Sequence, residues 1–584
     1  MNALKGSQAI HSGISRAEAI DLLWKLKHLS DNKLSLEVPH VHFNMLLVDP
    51  AYRAEIIAMA LNANCKRVRE LAQRIHDANL EGQLISNHAQ SNVRVLPKKA
   101  LTPPAPSPRL PQREVAETAS MTGDRRRHRG LSTMGQCLDR KRRALLAVPL
   151  TYLPFILLFL SMVGMGNFWY YSNVDDLAVK EHIVKQDIVS NEKWQAGQVY
   201  VLEGIIYVSE GAVLSIDAGV TIKGTPGSAL VVTRGSQLLA RGTKSKPIVF
   251  TSSAEKRLRQ PGDWGGVVLL GNASMNEISA QIEGIDPSEV RGQYGGNVEN
   301  SSCGVLEYVR IEYAGFALHA NNELNGLTLG ACGTNTVIHN VQVHKAMDDG
   351  IELFGGGVDL KNIVITGAGD DGLDWDKGWH GRVQFMVVQQ DVDRGDNAIE
   401  GDSHDNDLAS YPRSEPTLAN LTLVGGFSKD KAQRGIVLRR GTGGHFENVL
   451  LTGFSAEAID IRGAESAQNA RRGVLTFKAL MIFNTGKDGN MFFQDERNTD
   501  DDKGFDEKAY FSNTERVRLG LNPGLSARML AKHNFSPRHL DLLQREVASK
   551  PVQGEFWDDG AQYIGAVPAQ AKRTWLAGWT RFTD

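Results

Sequence analysis

Two strand-like phrases recur through the second half of this chain, a helical pattern opens it, and an uncharged apolar run lies between. Together they predict a mainly β protein: a right-handed parallel β-helix preceded by a small all-α domain and one transmembrane helix. At 584 residues the chain has room for several domains. Its formal charge of -2 hides an asymmetry, because residues 1–143 carry 23 Lys+Arg against 13 Asp+Glu while the remainder is acidic. A basic front and an acidic back fit two environments better than one compact body.

Residues 1–85 read as a small cytoplasmic helical domain. Ser15-Arg16-Ala17-Glu18 fits a capping box, and Ile20, Leu22, Leu23, Leu26 and Leu29 follow at helical spacing. Asp49-Pro50 reads as N-cap and first helical residue of a second helix through Leu61. A third helix is expected from Lys66 to Leu80. His40-Val41-His42 has a metal-like look, but a solvent-facing strand or loop explains it more simply. No chemistry is visible here, so a cytoplasmic protein partner is the role left to this domain.

Residues 86–143 form a Pro-rich and basic linker that includes "LTPPAPSPRLPQRE". The segment 144–171 is the transmembrane candidate: no charge occurs from Ala144 to Val174, and roughly 20 apolar residues span a bilayer. Arg125 to Arg127, Arg129 and Arg140-Lys141-Arg142-Arg143 precede it, which places the N-terminus in the cytoplasm. Trp169, Tyr170 and Tyr171 would anchor the far interface. A start at Met134 would turn the same stretch into a signal-like segment, with Gly164-Met165-Gly166 as a poor cleavage site. The length of the apolar run favours an uncleaved anchor.

From 195 to 500 the texture is Gly-punctuated and β-branched, as in "VYVLEGIIYVSEGAVLSIDAG". The phrase apolar-x-x-apolar-x-apolar, often with Asn third, starts at Leu306, Ile338, Leu360, Val383, Leu418, Phe446 and Phe477. The offsets are 32, 22, 23, 35, 28 and 31. A second phrase, "DGIELF" at Ile351, returns at Leu373 and Ile399 and more weakly at Ile436, Ile459 and Met491. Two strands per repeat with a minimum period near 22 is solenoid behaviour, the longer repeats carrying loops. The fixed consensus of a leucine-rich repeat is missing, and a propeller has a longer, more regular period. Residues 501–584 are expected to form a helical insertion and a C-terminal cap, with Trp264, Trp575, Trp579 and Phe582 sealing ends and edges.

Four stretches resemble a group of uncharacterised bacterial secreted or lipoprotein β-helix proteins, broadly pectin-lyase-like. They are "GDWGGVVLLGNA" (262–273), "LEYVRIEYAG" (306–315), "NNELNGLTLGACGTNTVIHNVQV" (321–343) and "MDDGIELFGGGVDLKNIVITGAGDDGLDWDKGWHGRVQFMVVQ" (347–389). The ending "YIGAV…TWLAGWTRF" is similar as well. The resemblance covers about 195–584 and implies fold and export; it carries no activity with it. It does not extend to residues 1–190, where a helical domain and membrane anchor stand in place of a secretion signal.

Residues one coil apart stack about 4.8 Å apart. Asp348 therefore lies over Asp370 and Asp349 over Asp371, with Asp396-Asn397 on the next coil. Glu352, Asp374 and Glu400 form a second column, and strand alternation turns it outward as an acidic ridge. Stacked carboxylates need neutralising. One answer is a Ca²⁺ site built from Asp349, Glu352, Asp371, Asp374, Asp396 and Glu400, since Ca²⁺ takes six to eight oxygens. Asp391-x-Asp393-x-Gly395 matches a calcium loop in part. A second answer is catalysis by Asp348, Asp349, Asp370 and Asp371 with His380, because glycosidase carboxyls sit at comparable spacings. Arg382, Arg439 and Arg440 are the basic partners such a site would draw on. The third answer is structural: Asp-Gly is turn chemistry. Cys303 and Cys332 lie one coil apart on the exported side, where a disulfide and two free thiols are both open to them.

No Walker loop, dinucleotide fingerprint, zinc spacing or nucleic-acid module is present, so no nucleic-acid partner is expected. The expected protein is a single-pass bacterial inner-membrane protein whose β-helix is periplasmic or extracellular. Its leading function is a binding or structural module for glycan or another envelope component, with Ca²⁺. The alternatives are a polysaccharide hydrolase or lyase, and a signalling or assembly protein.

Overall fold

The computed structural model describes residues 22–23, 25–26, 50–61, 66–78, 180–319, 322–492, 502–539, 548–550 and 554–582. The chain divides into two units, Met1–Ser86 with Val179–Asp584, and Asn87–Ala178. The second unit, with most of the expected linker and the whole transmembrane segment, lies outside the described residues. Among the described residues no helix is long and apolar enough to cross a membrane.

Near the N-terminus the helices Pro50–Leu61 and Lys66–Ala78 form where Asp49-Pro50 and the apolar spacing place them. Ile56, Ala60, Val68, Leu71, Ala72 and Ile75 are buried. Of the first expected helix, Leu22, Leu23, Lys25 and Leu26 are described; they are helical and the three leucines are buried.

The remainder is a parallel β-helix. A fifteen-stranded sheet runs from Glu181–Val184 through Leu475–Phe483 to Arg518–Leu519, and a nine-stranded sheet from Ile205–Val208 to Ile459–Ile461. In the long sheet Leu306 pairs with Ile338, Ile338 with Leu360, Leu360 with Val383, Val383 with Leu418, Leu418 with Phe446, and Phe446 with Phe477. Every offset of the first phrase is thus a coil. All seven residues are buried, and Phe446 stacks on Phe477 at 4.9 Å. In the short sheet Ile351 pairs with Leu373, Leu373 with Ile399, Ile399 with Ile436, and Ile436 with Ile459. Met491, expected as the next copy, falls in a turn.

The third residue of the first phrase has a physical meaning. Tyr308, Asn340, Asn362, Phe385, Asn420, Asn448 and Ala479 all sit at φ between 50° and 62°. Each long strand therefore bends at a left-handed residue, a conformation Asn tolerates better than most side chains. Where Asn is absent the side chain has another task. Tyr308 packs edge-on against Trp579 at 5.9 Å, and Phe385 stacks on Tyr563 at 6.4 Å.

Those partners belong to a C-terminal strap. Residues 554–582 run along the flank of the long sheet, clamped by side chains that bond their backbone. Gln342 exchanges two bonds with Arg581, at 2.6 and 2.8 Å. Gln384 accepts from Asp558 N at 2.9 Å, Asn420 donates to Tyr563 O at 2.7 Å, and Thr422 accepts from Ala566 N at 2.8 Å. Beneath lies a second apolar cluster, including Val364, Val387, Val424, Leu450 and Met481 with Ile564, Ala566 and Trp579. Of the residues expected to seal ends and edges, Trp579, Trp575 and Phe582 lie along this flank and Trp264 does not. Trp579 covers a flank, not an end. Trp264 is inside, over Phe250 at 6.4 Å, with its indole N–H on Glu312 O. The end is closed instead by the helix Glu507–Asn513, whose Phe511 meets Phe477 at 5.0 Å. Beyond it, among the described residues of the expected helical half, Ala527–Leu530 alone is helical.

Candidate cation-binding site

The turn before each short strand carries an Asp or Asn whose side chain holds the next coil. Asn325 Oδ1 accepts from Asp349 N at 3.2 Å, Asp349 Oδ1 from Asp371 N at 2.8 Å, and Asp371 Oδ1 from Asn397 N at 2.7 Å. This ladder satisfies one buried backbone donor per coil. The Gly that follows is required by close approach: a Cβ on Gly350 would lie 2.4 Å from Ile365 Cγ2 and 2.6 Å from Gly372 O. Asn325 was not among the sequence candidates. Its signal was the Asn325-Gly326-Leu327 phrase, the same turn without a second acid.

The strands Ile351–Phe354, Leu373–Asp376 and Asn397–Gly401 then alternate as expected. Ile351, Leu353, Leu373 and Ile399 point inward, and Glu352 pairs with Asp374 on the other face. The exposed ridge does not exist, however. Glu352 and Glu400 are each 8% exposed, Asp349 is 7% and Asp371 4%. The chain between strands Val267–Leu270 and Gly304–Glu312 folds over this face and brings Glu283 to it. Asn325 Nδ2 donates to both Glu283 Oε1 at 3.1 Å and Glu352 Oε2 at 2.5 Å. On the other side Asn397 Nδ2 donates to Glu400 Oε2 at 3.1 Å.

Carboxylate oxygens converge within 4.8 Å in three overlapping trios: Asp348/Asp349/Asp370, Asp349/Glu352/Asp374 and Asp371/Asp374/Glu400. Burial raises Asp349 and Glu352 well above the ordinary carboxylate range; Asp348 and Asp371 push the first further, Glu283 and Asp349 the second. Asp371 and Asp374 rise by burial and by Glu400. Glu400 is pushed up to about 7, chiefly by burial, with Arg439 pulling the other way. Oδ1 of Asp374 is buried and accepts no hydrogen bond. So the column is a dense set of hard oxygen donors with too few positive charges around it.

Several candidates stand apart. Asp396 pairs with Lys431 at 2.5 Å and joins none of the trios. His380 is exposed beyond the far end of its strand, with Nδ1 on Gly378 O at 2.9 Å, so it is no partner for the acids. Arg382 clamps Asp359 at 2.5 Å. Asp402 and Asp405 are ion-paired with Arg440 at 2.8 and 2.5 Å, and Arg439 bridges Glu400 and Asp402. Cys303 and Cys332 form a disulfide, with Cα atoms 5.7 Å apart.

A family model described as a pectate-lyase like beta helix domain matches residues 186–516. Among solved structures the chain is similar to the crystal structure of pectate lyase Pel9A: 10% identity, 47% of this chain, 77% of that chain, TM-score 0.22. No curated protein matches.

Proposed function

Since the chain belongs to the pectate-lyase-like β-helix family, we propose that it is an extracytoplasmic binding module for a cell-envelope glycan, with Ca²⁺ seated at Asp349, Glu352 and Asp374. One observation carries this reading: Asp349 and Glu352 are buried, and half-buried Asp374 keeps a buried oxygen with no partner. The donors fit a hard cation, being carboxylate oxygens. Without an ion such a group must hold protons instead, which is the direction in which burial and the neighbouring acids push Glu352.

Binding is favoured over cleavage because the bases beside the column are engaged: Arg439 with Glu400 and Asp402, Lys431 with Asp396, Lys377 with Glu277 at 2.9 Å. The disulfide suits an oxidising compartment outside the cytoplasm. The apolar run 144–171 with its basic flank then serves as a single-pass inner-membrane anchor, and residues 1–85 meet a cytoplasmic protein.

Thermal melting with Ca²⁺ or chelator tests the site: Ca²⁺ should raise Tm in wild type and not in Asp349→Asn. No shift in wild type would defeat it. A polysaccharide panel assayed for reducing ends and unsaturated products should show retention without release. Release abolished by Asp349→Ala with Asp371→Ala would instead establish cleavage. A periplasm-active reporter should work at Asp584 and fail at Ser86; the opposite pattern reverses the topology.

A further inference from the structure

Charge balance separates the two inner trios. The neighbours that most perturb Asp349 and Glu352 are all acids. Asp374 and Glu400, by contrast, both feel Arg439. We propose that Arg439 is a built-in counter-ion that fills the Asp371/Asp374/Glu400 trio and so limits the column to one external divalent cation. This rests on the cation-site reading above.

The geometry supports it in three ways. Arg439 is tethered where a cation is needed. It directly follows the strand Arg434–Leu438, in which Val437 pairs with Glu400, and its backbone N–H donates to Gly401 O at 3.0 Å. Its Nη2 meets Glu400 Oε1, and its Nε meets Asp402 at 2.9 and 3.1 Å. Arg440 grips the same Asp402 at 2.8 Å and Asp405 at 2.5 Å, which fixes the arm that holds Arg439. Second, the trio has a neutral oxygen to spare. Asn397 is 6% exposed, donates its Nδ2 to Glu400, and leaves Oδ1 buried without a partner. With the guanidinium withdrawn, three carboxylates and an amide oxygen would be a competent set for a hard cation. Third, Asp374 belongs to both trios, and a bridging carboxylate is no obstacle to two ions, since two-metal sites hold them ~3.5–4 Å apart. What stops a second ion here is the tethered positive charge.

The test is the stoichiometry of Ca²⁺ alone on the purified full-length chain, by equilibrium dialysis with calorimetry, each variant checked for fold by circular dichroism. Wild type should take one equivalent, Arg439→Met two and Arg439→Lys one. Arg439→Met combined with Glu352→Gln should return to one. If Arg439→Met does not fold, Arg439→Gln carries the same expectation. Two equivalents in wild type, or one in a folded Arg439→Met, would overturn the counter-ion role and leave the cation site standing. Zero equivalents in wild type would overturn both, so the two failures are told apart by the wild-type count.

Discussion

Raising the pH without calcium should loosen the β-helix, and Glu400 allows the size to be worked out. Its carboxyl moves from 4.5 to about 7 on folding, at 8% exposure, so no surface discount applies. One pKa unit corresponds to about 1.4 kcal/mol, which makes the whole effect about 3 kcal/mol. The sign follows from the raised value. Between about pH 4.5 and 7 the folded chain holds a proton that the unfolded chain has released. Stability is therefore full below pH 4.5 and is lost as pH rises through 7, with about 2.5 kcal/mol of the loss falling between pH 5 and 8. Glu457, pushed up to about 8 mainly by burial, adds to the same trend. The comparison must therefore be with Glu400→Gln, which removes the share of Glu400 alone. Urea unfolding followed by tryptophan fluorescence in EGTA at pH 5 and 8 measures it. Wild type should lose about 2.5 kcal/mol more than Glu400→Gln over that interval. Equal losses in the two proteins would refute the reasoning, because Glu400 would then carry no excess proton.

Three further outcomes are expected. Replacing both Cys303 and Cys332 by Ala should cost about 3.5 kcal/mol by the loop-entropy relation for a separation of 29, read in urea and reproduced by reduction of wild type. Asn362→Ala, at φ 60°, should cost about 1 kcal/mol and Asn362→Gly less, since Gly enters the left-handed region without strain. A chain ended before Gly554 should bind an apolar dye such as ANS strongly, because Val364, Val387 and Val424 lose their cover; unchanged dye binding would remove the strap from that role.

The coil period was legible because stacking puts Ile338, Leu360 and Val383 in one buried row, and each coil must repeat the apolar positions. The recurring Asn was visible as a pattern, but its reason, a left-handed bend, needs backbone angles. Asp349 and Asp371 were legible through their shared phrase; Asn325 was not, since its copy lacks the doublet and carries Thr328 where the others have an acid. Burial of the column escaped because it depends on an insertion whose Glu283 arrives from far away in sequence. Arg439 was noticed as a basic partner, yet whether an arginine is free or spent in ion pairs is a matter of distances. The path of the C-terminal strap was hidden for a related reason: it is set by Gln342, Gln384 and Asn420, more than 140 positions upstream.

That path also sets a timetable. Stacked coils touch their immediate neighbours, so the array can grow one turn at a time behind the ribosome as each stretch of chain arrives. The strap reverses this order. It spans rows laid down much earlier, from Tyr308 to Asn448, and Gly565, Trp579 and Arg581 are synthesised after all of them. Until then one side of the growing stack is greasy and bare. Residues 554–582 act as a latch, and a chain broken off before Gly554 would be a staircase without its banister.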